Sequence, residues 1–203
     1  MVEKFEKIIL PKPIINKGLP LLEAITKRKT SRDFNSNESL TLQQISEILY
    51  CAYGQSHGEN NFLKTVPSAV SLQPLEIFCV FKIGIFKYNP IKNELIPCME
   101  GNYSDKSGSQ PYVKDAYLNI LIFSDMKKEA DDERKKNILN SSPETRLRFS
   151  CLDAGHCCQN VYLYCASEGL KCVIRALCDG EYFKKLLKLS DNYDFIVSQS
   201  VGK

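Results

Sequence analysis

Arg28-Lys29-Thr30-Ser31-Arg32-Asp33-Phe34 is the stretch from which both the fold and the chemistry of this chain are inferred. Its first five residues carry two guanidinium groups, an ammonium group and two hydroxyls. Guanidinium suits phosphate because its planar fork makes two parallel charge-assisted hydrogen bonds. Leu21, Leu22 and Ile25 recur at helical spacing upstream, which predicts a short helix over about residues 20–29. The stretch is therefore typical either of a solvated basic turn or of an anion site at a helix end.

The composition indicates one globular domain covering residues 1–203. Hydrophobic residues make up 43% and charged residues 25%, and the chain is long enough to bury a core. A formal net charge of +3 is too small to indicate nucleic acid as a partner. No apolar run approaches the roughly 20 residues of a membrane span, and the charged N-terminus lacks the apolar core of a signal peptide. We therefore expect neither nucleic acid nor a membrane as a partner.

The nine cysteines do not indicate a disulfide scaffold, because their number is odd and no secretion signal is present. Four of them recur every seven residues: Cys151, Cys158, Cys165 and Cys172. In a helix predicted over residues 149–168, this spacing returns to nearly the same face. One small-residue stripe is then expected to contain Cys151, Ala154, Gly155, Cys158, Val161, Tyr162 and Cys165. Within it, Ala154, Gly155 and Cys158 permit close helix approach in a dimer, and His156 is expected to be packed beside the stripe. Without a C-x-x-C pair and with two histidines, we expect free thiols, no metal site and a reducing cytoplasm.

The remaining segments mix helices and strands. Pro11 and Pro13 predict an extended N-terminal arm over residues 1–18, and Thr41-Leu42-Gln43-Gln44 is a capping box that opens a helix ending at Gly54. Strands are predicted at five places: residues 75–88, 94–99, 117–123, 171–176 and 194–199. Other predictions are a helix over residues 181–187, a solvated charged segment over 127–136, and polar loops over 55–66 and 101–110 that could cover a pocket. This mixture, with a hairpin in the middle, favours an α+β fold.

Several signals of enzymatic chemistry are missing from the sequence. It contains no dinucleotide-binding glycine fingerprint, no Walker-type phosphate loop and no nucleophile elbow. A Cys–His nucleophile stays open, although two histidines give it little support. We therefore expect a bound cofactor to carry the chemistry.

A second motif, Pro67-Ser68-Ala69-Val70-Ser71-Leu72-Gln73-Pro74, points to a known family. Together with the basic stretch it resembles the FMN-dependent nitroreductase family, in particular a short branch near the SagB-type dehydrogenases. The basic stretch is similar to the family pattern R-(R/H)-S-x-(R/K)-x-F, and the second motif is similar to P-S-A-x-N-x-Q-P. The first pattern holds the flavin phosphate, and the second lines the flavin ring from the partner subunit. The resemblance therefore assigns these residues to the cofactor: Arg28, Lys29, Thr30, Arg32, Pro67, Ser68, Ala69 and Ser71.

Later segments match the family in the same order, so that the resemblance covers residues 21–203. Residues 153–170 resemble its long central helix and the exit from that helix. Val173-Ile174-Arg175-Ala176 lies where the family places a backbone amide against flavin N5, which assigns Arg175 and Ala176 to the cofactor. Val201-Gly202-Lys203 resembles the family's closing V-G-x and adds Lys203.

The resemblance implies a nitroreductase-like fold with a central, mostly antiparallel sheet flanked by helices. It also implies a homodimer with flavin sites at the subunit interface. FMN is the implied cofactor, NADH or NADPH the electron donor, and a small molecule such as a nitroaromatic or a quinone the acceptor, reduced in a ping-pong scheme. No catalytic side chain is assigned, because family members often need none. Two alternatives stay open: a flavin dehydrogenase or dehalogenase with another substrate, and a flavin-binding storage or sensing protein without efficient turnover.

Overall fold

A single antiparallel sheet organises the protein. The structure, a computed structural model, describes residues 1–56, 63–127 and 132–203. In these residues the strands are β1 (Ile8–Ile9), β2 (Leu75–Phe81), β3 (Gly84–Asn89), β4 (Glu94–Glu100), β5 (Leu118–Asp125), β6 (Lys171–Arg175) and β7 (Tyr193–Gly202). Their spatial order is β1-β4-β3-β2-β5-β7-β6, which leaves β6 at one edge. The helices are α1 (Leu21–Lys27), α2 (Leu42–Tyr53), α3 (Glu133–Leu139), α4 (Pro143–Glu168) and α5 (Gly180–Leu186). The predicted α+β class and antiparallel sheet are confirmed.

The main core lies between the sheet and the pair of helices α2 and α4. The predicted capping box opens α2, with Thr41 Oγ1 accepting from Gln44 N at 3.1 Å. The apolar face of this helix is fully buried: Ile45, Ile48, Leu49 and Ala52. A smaller core, which includes Phe183 of α5, covers the opposite face of the sheet. Because both faces of the central strands are covered, their sequences are almost continuously apolar.

One predicted strand is two strands in the structure. Residues 75–88 form β2 and β3, which pair across a two-residue turn at Lys82-Ile83 with Phe81 opposite Gly84. The turn itself contains no Gly, Asn or Pro, and both flanking strands are buried, so the exposed Lys82 and the adjacent Gly84 are weak signals of the break. The prediction of one continuous strand is wrong for that reason.

The long central helix α4 begins six residues before its predicted start, at Pro143. Ser142 caps it by accepting from Thr145 N at 3.2 Å, and Gly169 ends it in the left-handed conformation with φ of 69°. The predicted small-residue stripe is wrong as a dimer contact, because Ala154 and Cys158 are buried in the chain's own core. Only Gly155 of the three faces outward. The expected packing of His156 is also wrong, since its side chain is exposed.

The predicted loops and arm differ in how firmly they are held. Val2 and Leu10 of the arm are buried, and β1 pairs with β4. Residues 101–110 contain the 3-10 turn Ser104–Lys106, and Ser104 and Ser107 are buried. Parts of two predicted segments, residues 57–62 and 128–131, lie outside the described residues.

Three further observations concern thiols, metals and membranes. All nine cysteines are free thiols. Residues 1–56, 63–127 and 132–203 contain no group of three or more His, Cys, Asp or Glu side chains placed to hold a metal ion. No helix in the described part of the chain has both the length and the apolar character needed to cross a membrane.

Candidate functional site

The basic stretch lies along the open edge of the sheet. The chain leaves α1 at Arg28, whose ψ of 122° ends the helix while its N–H still donates to Ala24 O at 2.9 Å. Ser31 N then donates to Cys172 O of β6 at 3.0 Å. Because β6 has a strand partner only in β7, this hydrogen bond fills part of its free edge.

The end of β7 approaches the same stretch. Asn35 N donates to Lys203 O at 2.6 Å. A Cβ on Gly202 would lie 2.9 Å from the Phe34 ring, so only glycine allows this close approach. The basic turn is therefore held between α1, β6 and Lys203. It adjoins two other segments that the resemblance assigned to the cofactor, namely β6 and Lys203.

Tyr162 of α4 connects the basic turn to β6. Its hydroxyl shares a hydrogen bond of 3.1 Å with Thr30 Oγ1 and accepts from Ile174 N at 2.9 Å. The Arg28 guanidinium carbon lies 5.4 Å from the centre of the Tyr162 ring, within the range of a cation–π contact. The sequence pattern placed Tyr162 in the small-residue stripe of the helix and did not indicate this role. The residues that its hydroxyl contacts lie in two other segments of the chain, so no local sequence pattern indicates this role.

The three cations of the basic turn form no ion pair with a described carboxylate, although Lys29 interacts with Asp33 at longer range. In residues 1–56, 63–127 and 132–203, no carboxylate lies within 4.0 Å of the charged groups of Arg28, Lys29 or Arg32. Lys171, in contrast, pairs with Asp33 at 2.8 Å and lowers the pKa of that carboxyl through a hydrogen bond. A cavity of about 390 Å³ opens beside the turn. Its lining includes Lys27, Lys29, Ser31, Asp33, Tyr162 and Lys171. Lys27 pairs with Glu23 and Lys171 with Asp33, so Lys29 is the lining cation without an ion pair among the described residues. A cavity with such a cation, next to Arg28 and Arg32, is suited to an anionic ligand.

The second motif forms a strained, exposed loop. Val70 and Ser71 adopt φ of 46° and 57°, a left-handed conformation that is costly for a β-branched residue such as Val70. Ser68 Oγ accepts from Gln73 N at 2.8 Å and so closes the loop. Pro67, Val70 and Ser71 are exposed.

Asp153 of α4 anchors this loop. Its side chain is buried, and burial raises the pKa of its carboxyl. The Ser68 hydroxyl and the Ala69 amide hydrogen-bond that carboxyl and oppose the rise. Asp153 is thus a positioning residue for the motif, and the sequence showed it only as part of the family-like helix.

The two motifs lie on opposite flanks of α4. Asp153 and Tyr162 are nine residues apart, which is about two and a half turns and places their side chains on opposite sides of the helix axis. Asn160 confirms the side of the loop, since its Nδ2 donates to Thr65 O at 3.3 Å. The structure therefore brings Arg28 and Thr30 together with Tyr162 but keeps residues 67–71 away from them within one chain.

Arg175 is separated from the basic turn by the sheet. Cys172 faces α4, because its sulfur accepts from Gln199 Nε2, which also donates to Cys158 O of that helix. Side chains alternate along a strand, so Arg175 lies on the other face, where it is buried. The sequence assignment of Arg175 and Ala176 concerned the backbone. Ala176 is exposed just beyond the end of β6.

Comparison with known proteins gives one consistent result. The model of the nitroreductase family matches residues 25–203. The chain is 29% identical over 184 residues to a candidate nitroreductase of Methanocaldococcus jannaschii, covering 85% of this chain and 86% of that protein. The crystal structure of a candidate nitroreductase from Ralstonia eutropha matches with a TM-score of 0.86 and 27% identity, covering 100% of this chain and 91% of its own. A candidate nitroreductase from Exiguobacterium sibiricum, solved in complex with FMN, has the same fold. Its TM-score is 0.61 at 13% identity, covering 93% of this chain and 90% of its own.

Proposed function

This chain belongs to the nitroreductase family, and on that premise we propose that it is an FMN-dependent oxidoreductase. It would take a hydride from NADH or NADPH and pass the electrons to a small acceptor such as a nitroaromatic or a quinone. The observation that carries this proposal is the basic turn beside Tyr162, where Arg28, Lys29 and Arg32 form no ion pair with any carboxylate of the described residues. An anionic ligand is the partner that such a turn lacks, and a flavin phosphate is an anion of this kind.

The residues present fit the phosphate end of FMN. Arg28 and Arg32 supply forks for charge-assisted hydrogen bonds, and Lys29 adds a third cation. Tyr162 can donate its proton to Thr30 Oγ1 while it accepts from Ile174 N. In that arrangement the Thr30 hydroxyl keeps its own proton for the phosphate. Lys203, whose carbonyl is tied to Asn35, lies at the border of the same turn.

The free edge of β6 fits the other end of the cofactor. Cys172 O and Ile174 N both point to this edge, as their bonds to Ser31 and Tyr162 show. Backbone groups alternate along a strand, so Ala176 N–H would continue on the same edge. Residues 172 and 176 are about 13 Å apart in an extended chain. The edge therefore offers an elongated ligand an anion site at one end and a backbone donor at the other.

The position of the second motif supports a homodimer. Since residues 67–71 lie on the flank of α4 opposite to the basic turn, a partner subunit would supply this apolar wall, and Ser71, to the flavin ring. Apolar side chains for such an interface are exposed on the arm and on α1, where Ile15, Leu21 and Leu22 are 80%, 65% and 76% accessible. An obligate interface would bury more than about 2,000 Å².

The chain's own residues would bind and orient rather than react. When bound, FMN supplies the hydride chemistry, accepting two electrons from a nicotinamide and releasing them to the acceptor. The basic turn would hold the phosphate, the Ala176 amide would donate to the ring, and the apolar loop would limit access of water. The nine free thiols fit a reducing compartment such as the cytoplasm.

Anaerobic reduction tests the proposed activity. NADH or NADPH should bleach the visible absorbance of the purified protein, and a nitroaromatic or a quinone added afterwards should restore it. Steady-state rates should then give parallel double-reciprocal lines, as a ping-pong scheme requires. A flavin that stays oxidised in excess NADH and NADPH without oxygen would contradict this activity and favour a storage or sensing role.

A further inference from the structure

Arg175 is a buried cation whose hydrogen-bond partners are all neutral. Only 4% of the residue is accessible. Its guanidinium donates to Ser107 O at 2.5 Å, Asn119 Oδ1 at 3.1 Å and Ser200 Oγ at 2.8 Å. These partners come from the segment before β5, from β5 and from β7, so the guanidinium lies on the face of the sheet opposite to α4, next to the end of β6 at Arg175. Arginine keeps its charge in proteins, even though burial lowers the pKa of this group.

No anion balances this charge in the described part of the chain. No carboxylate lies within 4.0 Å of the guanidinium, and its Nε has no hydrogen-bond partner among residues 1–56, 63–127 and 132–203. The packing is closed around it, because a Cβ on Gly108 would lie 1.9 Å from Arg175 Nη1. Removing an ion from water costs several kcal/mol, and neutral acceptors recover only part of that cost. Replacing a buried ionic group by an apolar side chain of similar volume is often neutral or stabilising, so packing alone does not account for this charge.

A fixed charge in a buried position acts on whatever gains charge nearby. Arg175 directly precedes Ala176, the residue whose amide would meet the flavin ring. Hydride transfer adds two electrons and one proton to FMN, while NAD(P)H becomes NAD(P)⁺, so the reduced ring carries one more negative charge than the oxidised ring. We propose that the buried charge of Arg175 favours the reduced form of bound FMN over the oxidised form and so raises its reduction potential. This inference rests on the proposed function and identifies a residue that sets the reduction potential of the bound flavin.

In a purely structural role, Arg175 would only connect strands β5 and β7 to the segment at Ser107. Two substitutions separate that role from an electrostatic one. Arg175→Lys keeps the charge but loses the fork, whereas Arg175→Met removes the charge and keeps most of the length. If the role were purely structural, both changes would destabilise the protein. The reduction potential of bound FMN, in contrast, should change only in Arg175→Met. Lys106→Met is the matched control, because it removes a charge from the same segment at an exposed side chain, where water screens it.

The measurement is the midpoint potential of the flavin-loaded protein, obtained by equilibration with a redox dye. Arg175→Met should reduce the preference for reduced over oxidised FMN by about tenfold, since the charge acts through protein rather than water. A tenfold change corresponds to a fall of about 30 mV for a two-electron couple. Arg175→Lys and Lys106→Met should each stay within about threefold of the wild type. An unchanged potential in Arg175→Met, or an equal fall in Arg175→Lys, would overturn the inference.

A second variant covers the case in which Arg175→Met does not fold. Asn119→Asp keeps an oxygen acceptor 3.1 Å from the guanidinium and places a negative charge beside it. The potential should fall in this variant although Arg175 is intact, and an unchanged potential in the flavin-loaded variant would overturn the inference. A wild-type protein that binds no FMN would instead overturn the proposed function, and the inference with it.

Discussion

The hydroxyl of Tyr162 connects the basic turn to the edge strand β6 by hydrogen bonds. Tyr162→Phe is therefore the most informative single change. It removes the bond to Thr30 at 3.1 Å and the acceptor for Ile174 N at 2.9 Å. The ring remains, and with it the contact to the Arg28 guanidinium at 5.4 Å. The variant therefore changes the orientation of the turn without changing its charge.

The expected size of the effect follows from these two bonds. Both bonds are only partly buried, since Ile174 is 39% accessible, and an ordinary hydrogen bond contributes about 0.5–1.5 kcal/mol. We expect Tyr162→Phe to lower the free energy of unfolding by about 2 kcal/mol. FMN binding should weaken about tenfold, which is about 1.4 kcal/mol, because Thr30 is no longer oriented.

Urea unfolding of the apoprotein and titration with FMN measure the two effects separately. Tyr164→Phe is the matched control, since it lies two residues later on α4 and loses a bond of 2.7 Å to Glu47 instead. This control should lose stability and keep its affinity for FMN. Equal FMN affinity in Tyr162→Phe and the wild type would refute the assignment of Tyr162 to the site.

Three further changes test other parts of the account. Burial raises the pKa of Glu47, but hydrogen bonds from Lys17 and other donors outweigh this and lower it below its ordinary value of 4.5. Its stabilising effect is therefore present above that pH and lost as the pH falls through the lowered pKa. Glu47→Gln should cost about 2 kcal/mol at pH 7, since Lys17 keeps Glu168 as a partner at 3.1 Å, and it should flatten the acid limb of the unfolding curve. Val70→Asn should raise the free energy of unfolding by about 1 kcal/mol, measured in urea, because Asn tolerates a positive φ. Ala176→Pro should slow flavin reduction by NADH in stopped-flow measurements, because proline removes the amide donor; an unchanged rate would remove the backbone contact from the site.

The sequence predicted those features of the fold that local chemistry determines. The capping box at Thr41, the buried strand at residues 117–123 and the glycine that ends α4 each have a cause within a few residues. The break between β2 and β3 was not predicted, because both strands are apolar and the exposed Lys82 and the adjacent Gly84 are weak signals of a turn. The start of α4 at Ser142-Pro143 had a local signal that was overlooked.

The same distinction between local and distant causes applies to the residues of the candidate site. The basic turn was visible because its chemistry is concentrated in seven consecutive residues. Tyr162 and Asp153 were not identified, since their roles depend on partners more than 80 residues away, at Thr30 and Ser68. Burial of Arg175 without a counter-ion is likewise a property of four distant segments, which no single stretch of sequence shows.

Binding of FMN to the apoprotein tests the central claim most directly. Titration followed by flavin absorbance and fluorescence should give about one FMN per chain. Arg28→Ala combined with Arg32→Ala should weaken binding about 100-fold or more, because two charge-assisted forks are lost. The control pair, Arg134→Ala with Arg148→Ala, removes the same charge from side chains that are 79% and 71% accessible and should bind like the wild type. Full FMN affinity in the double variant at Arg28 and Arg32 would contradict the account.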